Sequence, residues 1–487
     1  MAQARYDLII RNATVIDGTR APRFEADIAV RGARIAEIGK LPAALASVEI
    51  DAHGKVAAPG FIDVHTHDDR LLLSSPDMAP KVSQGVTTVV TGNCGISLAP
   101  APRGMRAPIM PPLDLLDQEG VWFRFPSFAA YLRELEAHPA AANCAPLVGH
   151  STLRVAAMND VSQPARPKEI SRMRALADEA LAAGAIGVST GLYYEPASAA
   201  TTEEVIDVCR GLPAHGGLYC THMRDEADDV LDSLEETFRI GRELEVPVVI
   251  SHHKVVGKKN YGRSRDTLAR IGERMRSQQI GLDCYPYCAS STILSADRIR
   301  VASKVLVTWS KPLPQYAGMD LADIAARMQA PLEEAVARLI PAGAIYFSMD
   351  EADVQRILQY EHTMIGSDGL PHDSAPHPRL WGTFPRVLGH YARGLNLFPL
   401  ETAVHKMTGL PAKTFGLDGR GELKVGNYAD LTIFDPGGID EAASYERPIQ
   451  PARGIEAVFV NGVAVWKQGA PTGARPGQVL RRAATAG

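Results

Sequence analysis

Hydrophobic positions recur along the chain with two different periods. Near both ends they form short β-branched blocks, at Asp7–Asp17, Ala26–Val30 and Arg34–Ile38, and again at Tyr428–Phe434 and Glu456–Trp466. Gly, Asn and Asp punctuate these blocks as they do strands. The last block contains Asn461-Gly462, the residue pair of a tight hairpin turn. The middle of the chain alternates short apolar runs with stretches whose apolar residues recur at i, i+3 and i+4. The clearest of these stretches are Lys168–Ala183, Glu203–Ala214 and Ala227–Leu244. Strand followed by amphipathic helix, repeated, is the signature of a parallel α/β fold. Eight runs qualify as strands: Phe61–Val64, Val86–Cys94, Ala145–His150, Ile186–Leu192, Leu218–His222, Val248–His252, Gly281–Tyr285 and Met364–Asp368. Eight strands predict a (β/α)8 TIM barrel, over about residues 59–417, with its catalytic groups at the C-terminal strand ends. The β-rich ends, residues 1–58 and 418–487, read as one small domain built from both termini.

Two segments leave the regular pattern. Pro100–Pro126, with Met110-Pro-Pro and Val121-Trp-Phe-Arg-Phe, reads as a long loop near the second strand. The interval 286–362 is too long for one crossover and reads as an insertion with helices of its own, at Leu321–Met328 and Leu332–Leu339. Excursions of this length on a catalytic face often shape specificity. Composition narrows the function classes. The 487 residues are 46% hydrophobic and 22% charged, with a net charge of −5, an ordinary globular balance without a basic field for nucleic acid or an anionic membrane. No apolar run has transmembrane length, and Met1–Asp7 lacks the apolar core of a signal peptide. The six cysteines show no compact disulfide spacing, so they read as reduced and the protein as cytoplasmic. The oligomeric state stays open.

The strand ends carry the chemistry. His65 and His67 follow the first strand at i, i+2, Cys94 ends the second, His222 the fifth, His252 the sixth and Asp368 the eighth. Each alone is more often a buried polar or small core residue than a ligand. Together at one end of a barrel they make a donor set of imidazole, thiolate and carboxylate that suits zinc. Zinc so held activates water near neutral pH and polarises a carbonyl, and Asp368 is the natural carboxylate to move the proton. Alternation allows only one of the adjacent His252 and His253 to face such a site.

Pro59-Gly-Phe-Ile-Asp-Val-His65-Thr-His67 with Gly366-Ser-Asp368 resembles the amidohydrolase superfamily. Thr91-Gly-Asn-Cys94-Gly, Thr221-His222-Met-Arg, Ser251-His252-His253-Lys254, Cys284-Tyr285-Pro-Tyr and Ser367-Asp368-Gly-Leu-Pro-His-Asp resemble, more narrowly, the N-acyl-D-amino-acid deacylases. The resemblance implies a metal-binding barrel with a small β-sandwich from both termini. It also implies one tightly bound zinc on Cys94, His222 and His252, and a weaker second position at His65 and His67. The resemblance further implies that Asp368 lies beside both positions as general acid and base, and that His252 rather than His253 is the ligand. Arg379, with Tyr285 and Ser291, is implied to hold the substrate α-carboxylate. Lys254 and Arg298 are further cations near the expected pocket. The partner is then a small N-acyl-D-amino acid, expected with a neutral side chain such as D-Leu, D-Met or D-Phe, the alternative being N-acyl-D-glutamate. A hydantoinase-like cyclic-amide hydrolase is disfavoured because the fourth strand offers no lysine to bridge metals. A non-catalytic assembly protein is disfavoured because all six expected groups are present.

Overall fold

The structure, a computed structural model, describes residues 6–101 and 109–482. All eight expected barrel strands form. They are β1 (Phe61–Asp63), β2 (Val86–Thr91), β3 (Asn143–Pro146, continuing in Val148–Gly149), β4 (Gly187–Gly191), β5 (Leu218–His222), β6 (Val248–Ile250), β7 (Ile280–Cys284) and β8 (Thr363–Ile365). Each pairs in parallel with the next, and a parallel bridge between Thr66 and Gly369 joins the first to the last, closing the barrel. Ile62, Val90, Leu147, Ile186, Leu218, Val249 and Met364 pack inside it, with Phe415 and Leu417 beneath, a filled core rather than a pore.

Several strands stop sooner than the apolar pattern suggests. β2 ends at Thr91, three residues before Cys94; β6 ends at Ile250 and β8 at Ile365. Cys94, His252 and Asp368 have φ of 53°, 37° and 49°, a left-handed conformation that no strand continues through. The helices over Pro167–Ala183 and Val230–Leu244 match expectation closely, whereas the third breaks after Thr202–Val208, ahead of Gly211 and Pro213.

Tyr6–Val15, Phe24–Arg31, Arg34–Gly39, Ala46–Asp51 and Val56–Pro59 share one nine-stranded sheet with Leu431–Phe434, Ile455–Val460, Val463–Lys467 and Ala470–Pro471. The join is antiparallel, with Ala57 opposite Ile433. Ile10, Val15, Ile28 and Val30 from one half share a core with Leu431, Ile433 and Phe459 from the other, so both termini build one β-sandwich. The Asn461-Gly462 hairpin forms as expected, both residues having positive φ.

The insertion contains the two expected helices, Leu321–Met328 and Leu332–Leu339, and a feature the sequence reading missed. Ala289–Ile293, Val305–Ser310 and Ala342–Phe347 form a three-stranded antiparallel sheet over which those helices pack. Helix Glu351–Gln359 lies against β7 and β8 as a barrel helix, so the insertion is shorter than the sequence interval. Of the Pro100–Pro126 segment, residues 102–108 lie outside the described residues, as do Met1–Arg5 at the start of the chain; the remainder of the segment buries Leu113, Leu116, Phe123 and Phe125. No described helix is long and apolar enough to cross a membrane.

Candidate metal centre

The loop after β2 brings Cys94 to the barrel mouth because it is threaded through very little space. A Cβ on Gly92 would meet Leu147 O at 2.0 Å, and one on Gly191 would meet Cys94 O at 2.2 Å. The buried Cys94 Sγ then lies 3.2 Å from His65 Nε2, 3.3 Å from His252 Nε2 and 3.7 Å from His222 Nδ1. Sulfur and nitrogen ligands of one tetrahedral zinc lie about 3.6 Å apart, given bond lengths of about 2.3 and 2.0–2.1 Å; His65, Cys94, His252 and Asp368 bring their donor atoms mutually close enough for one ion, and His222 forms a second such group with His252 and Glu226. Burial alone would raise the Cys94 thiol, yet His65 and His252 beside it hold it well below the usual thiol range. The thiolate is the form of cysteine that binds metal.

Asp368 completes the cluster. Its Oδ1 lies 3.2 Å from His67 Nε2 and 3.6 Å from His65 Nε2, and its Oδ2 2.9 Å from Arg379 Nη1. Arg379 and His252 outweigh burial and hold this carboxyl well below the usual carboxylate range. The adjacent histidines part as alternation requires. His252 faces Cys94, while His253 Nε2 turns to Thr267 Oγ1 at 2.8 Å, and burial pushes its pKa down to about 4.

Next to Asp368 lies a corner rich in unused polar groups. Arg379, fully buried, donates through Nη2 to Ser291 O at 3.0 Å, and its guanidinium carbon lies 4.5 Å from the Tyr285 ring centroid. Arg379 Nε, the Tyr285 hydroxyl and Ser291 Oγ are buried with no hydrogen-bond partner among the described residues. Lys254, read from sequence as a substrate cation, is engaged within the protein: its Nζ lies 2.6 Å from Glu226 Oε1 and 2.9 Å from His252 O. Arg298 instead lines a cavity of about 150 Å³ with Tyr193, Glu226, Val256, Val301 and Tyr346. Its guanidinium carbon sits 4.1 Å from the Tyr193 ring centroid, and Tyr193 in turn packs 5.8 Å from the His222 ring.

Sequence reasoning passed over two carboxylates here. Asp283 Oδ2 lies 3.6 Å from His65 Nδ1, and Glu226 contacts both His222 and His252. An acid inside the apolar run Gly281-Leu-Asp-Cys was a legible signal for the first. Glu226 sits on an irregular turn, where spacing carries no phase.

The amidohydrolase family profile matches residues 48–260 and 319–472. The chain belongs to the amidohydrolase family. Within it, this amidohydrolase groups with the N-acyl-D-amino-acid deacylases. It is 59% identical over 479 residues to the D-aminoacylase of Alcaligenes xylosoxydans xylosoxydans, covering 98% of each chain. It is 54% identical to the N-acyl-D-aspartate deacylase of the same organism, over 98% of this chain and 96% of that one. A solved D-aminoacylase with a binuclear centre, described by one-metal activation and second-metal attenuation, is 59% identical and superposes with a TM-score of 0.95 over 98% of this chain and all of that one. The N-acyl-D-glutamate deacylase of Bordetella bronchiseptica, solved with zinc and a phosphonate mimic of the tetrahedral intermediate, is 46% identical with a TM-score of 0.94, over 98% and 99% of the two chains. Metal-dependent hydrolysis is the chemistry of this amidohydrolase.

Proposed function

We propose that this amidohydrolase cleaves N-acyl-D-amino acids to a carboxylate and the free D-amino acid, with one tightly held zinc on Cys94, His222 and His252. The observation that carries this is the juxtaposition of a buried thiolate–imidazole cluster with the donor-rich corner of Arg379, Tyr285 and Ser291. The D configuration rests on the relatives, all named for D substrates. His65, His67 and Asp368 frame the weaker second position, in keeping with the one-metal activation reported for the D-aminoacylase. The ends of the β domain and barrel are taken at about residues 58/59 and 417/418.

When bound, zinc supplies a Lewis acid and an activated water at neutral pH. The protein supplies the rest. An unsatisfied buried polar group costs about 1–3 kcal/mol, so Arg379 Nε, the Tyr285 hydroxyl and Ser291 Oγ are three donors suited to a substrate α-carboxylate. That anchor sets the scissile amide beside Asp368. Arg379 keeps Asp368 ionised, so that Oδ1 takes a proton from the attacking water and returns it to the leaving nitrogen. Hydrogen bonds between the charged groups fix both partners in place.

The cavity walls of Tyr193, Val256, Val301 and Tyr346 accept a neutral side chain. A second reading rests on Arg298, whose Nε is buried with no hydrogen-bond partner among the described residues: a guanidinium with a free donor on this cavity would meet an acidic D side chain, although Asp225, Glu226 and Asp297 line the same cavity. Hydrolysis of N-acetyl-D-Leu, -Met, -Phe, -Asp and -Glu, with N-acetyl-L-Met as control, tests both. Rapid turnover of the neutral D substrates supports the first reading, and turnover confined to Asp and Glu the second. A preference for the L control, or no turnover with zinc supplied, overturns the deacylase reading itself. Cys94→Ala is expected to lose the tight zinc and the activity together. Full zinc occupancy in that variant would show the ligand to be elsewhere.

A further inference from the structure

The barrel closes at a seam. β1 and β8 are joined by the isolated bridge between Thr66 and Gly369, not by a run of paired residues. His65 and His67 stand on one side of that seam and Asp368 on the other. Asp368 Oδ1 lies 3.2 Å from His67 Nε2 and 3.6 Å from His65 Nε2, distances that hold only while the two chain segments keep their places. A backbone hydrogen bond from Asp368 N to His65 O, 2.8 Å long, spans the seam.

Side chains reinforce it from one point. Asp63, the last residue of β1, accepts at Oδ1 from Ser367 N at 2.8 Å. Lys81, fully buried in the short helix Ala79–Val82, donates to Asp63 Oδ2 and to Ser367 Oγ, both at 2.8 Å. Asp68 Oδ2 stands 3.3 Å from the same ammonium. Ser367 Oγ also accepts from Gly369 N at 3.2 Å. Both neighbours of Asp368 are therefore tied to the group, and the left-handed turn at Asp368 lies between them. Burial opposes a charge on Lys81, but Asp63 and Asp68 hold its pKa above the ordinary lysine value. Moving any member leaves a buried charge or hydroxyl unpaired, so the group resists displacement.

We propose that Lys81 is a positioning residue for the reaction: by bonding Asp63 and Ser367 across the seam between β1 and β8, it holds Asp368 at its working distance from His65 and His67. The proposal rests on Asp368 as the proton carrier and adds the device that places it.

Lys81→Met keeps an unbranched stem and removes the ammonium. On the N-acetyl-D-amino acid that the parent hydrolyses fastest, its kcat is expected to fall roughly 10- to 100-fold, the scale of an ångström-sized misplacement. KM should stay within threefold of the parent's, and the content of tight zinc should be equal. In an Asp368→Asn background the loss should shrink to less than twofold, because no proton carrier remains to misplace. An equal loss in both backgrounds would mark a merely structural role and overturn the proposal. A loss below threefold in Lys81→Met alone would overturn it too. Lys81→Met strands buried carboxylates, so Ser367→Ala offers a milder cut of the same contact. It is expected to lower kcat at least threefold, again only where Asp368 is present. A smaller loss overturns the proposal even if Lys81→Met fails to fold. Parent-like kcat in Asp368→Asn alone would instead remove the proton role beneath the proposal, so the two failures are distinguishable.

Discussion

The residues that would meet metal are held in backbone that ordinary residues avoid. Cys94, His252 and Asp368 each sit at positive φ, a cost of about 1–3 kcal/mol apiece that the surrounding packing must offset. The benefit is direction, since each turn swings its side chain across the barrel mouth. Asn tolerates this conformation nearly as well as Asp, so Asp368→Asn should fold and hold the tight zinc while lacking the proton acceptor. Its kcat is expected to fall by roughly 10²- to 10⁴-fold, the usual worth of a general base. A kcat within tenfold of the parent, at equal zinc content, would remove Asp368 from the proton path. At this scale the sequence was readable where chemistry is carried by residue type, as with Cys94 and the histidines. It was unreadable where geometry decides, as with Glu226 on its turn and Lys254 folded back upon it.

Among the elements, the strands were legible because their apolar runs are bounded by Gly, Pro and polar turns. Their ends were not, because Thr91-Gly-Asn-Cys94 and Ser251-His252 continue the pattern after the hydrogen bonding has stopped. The sheet of the insertion escaped for a different reason. Ala342–Phe347 and Val305–Ser310 are covered on both faces, so they show no alternation of polar and apolar residues. The loop from Gly92 to Gly95 depends on the bare backbone of its neighbours. Gly191→Ala would push a methyl group onto the Cys94 carbonyl, 2.2 Å from the ideal Cβ position. The expected result is zinc release at least tenfold faster than in the parent, read by chelator competition. Parent-like retention would mean that the loop yields without moving the sulfur.

Over the whole molecule, stability toward acid depends on carboxylates held far below their ordinary pKa. Glu204 is the clearest outside the metal cluster. Burial would raise it, but His150 and Arg154 pull it from 4.5 down to about 2. A depressed carboxylate adds stability above its unfolded pKa and loses it as pH falls through the folded one. Its contribution is therefore present above about pH 4.5 and fades toward about pH 2. The gap in unfolding free energy between the parent and Glu204→Gln should narrow as pH drops from about 6 to about 3. A gap unchanged across that range would contradict the assignment. The division of labour along the chain has another consequence. Cys94, His222, His252, His65, His67 and Asp368 all end or follow barrel strands, whereas Ser291, Arg298 and Tyr346 come from the one contiguous insertion. Arg298 and Tyr346 of the insertion share one cavity with Tyr193, Glu226 and Val256, which follow barrel strands. A recombination event that exchanged the insertion between relatives would therefore replace one wall of that cavity and leave the other to the barrel.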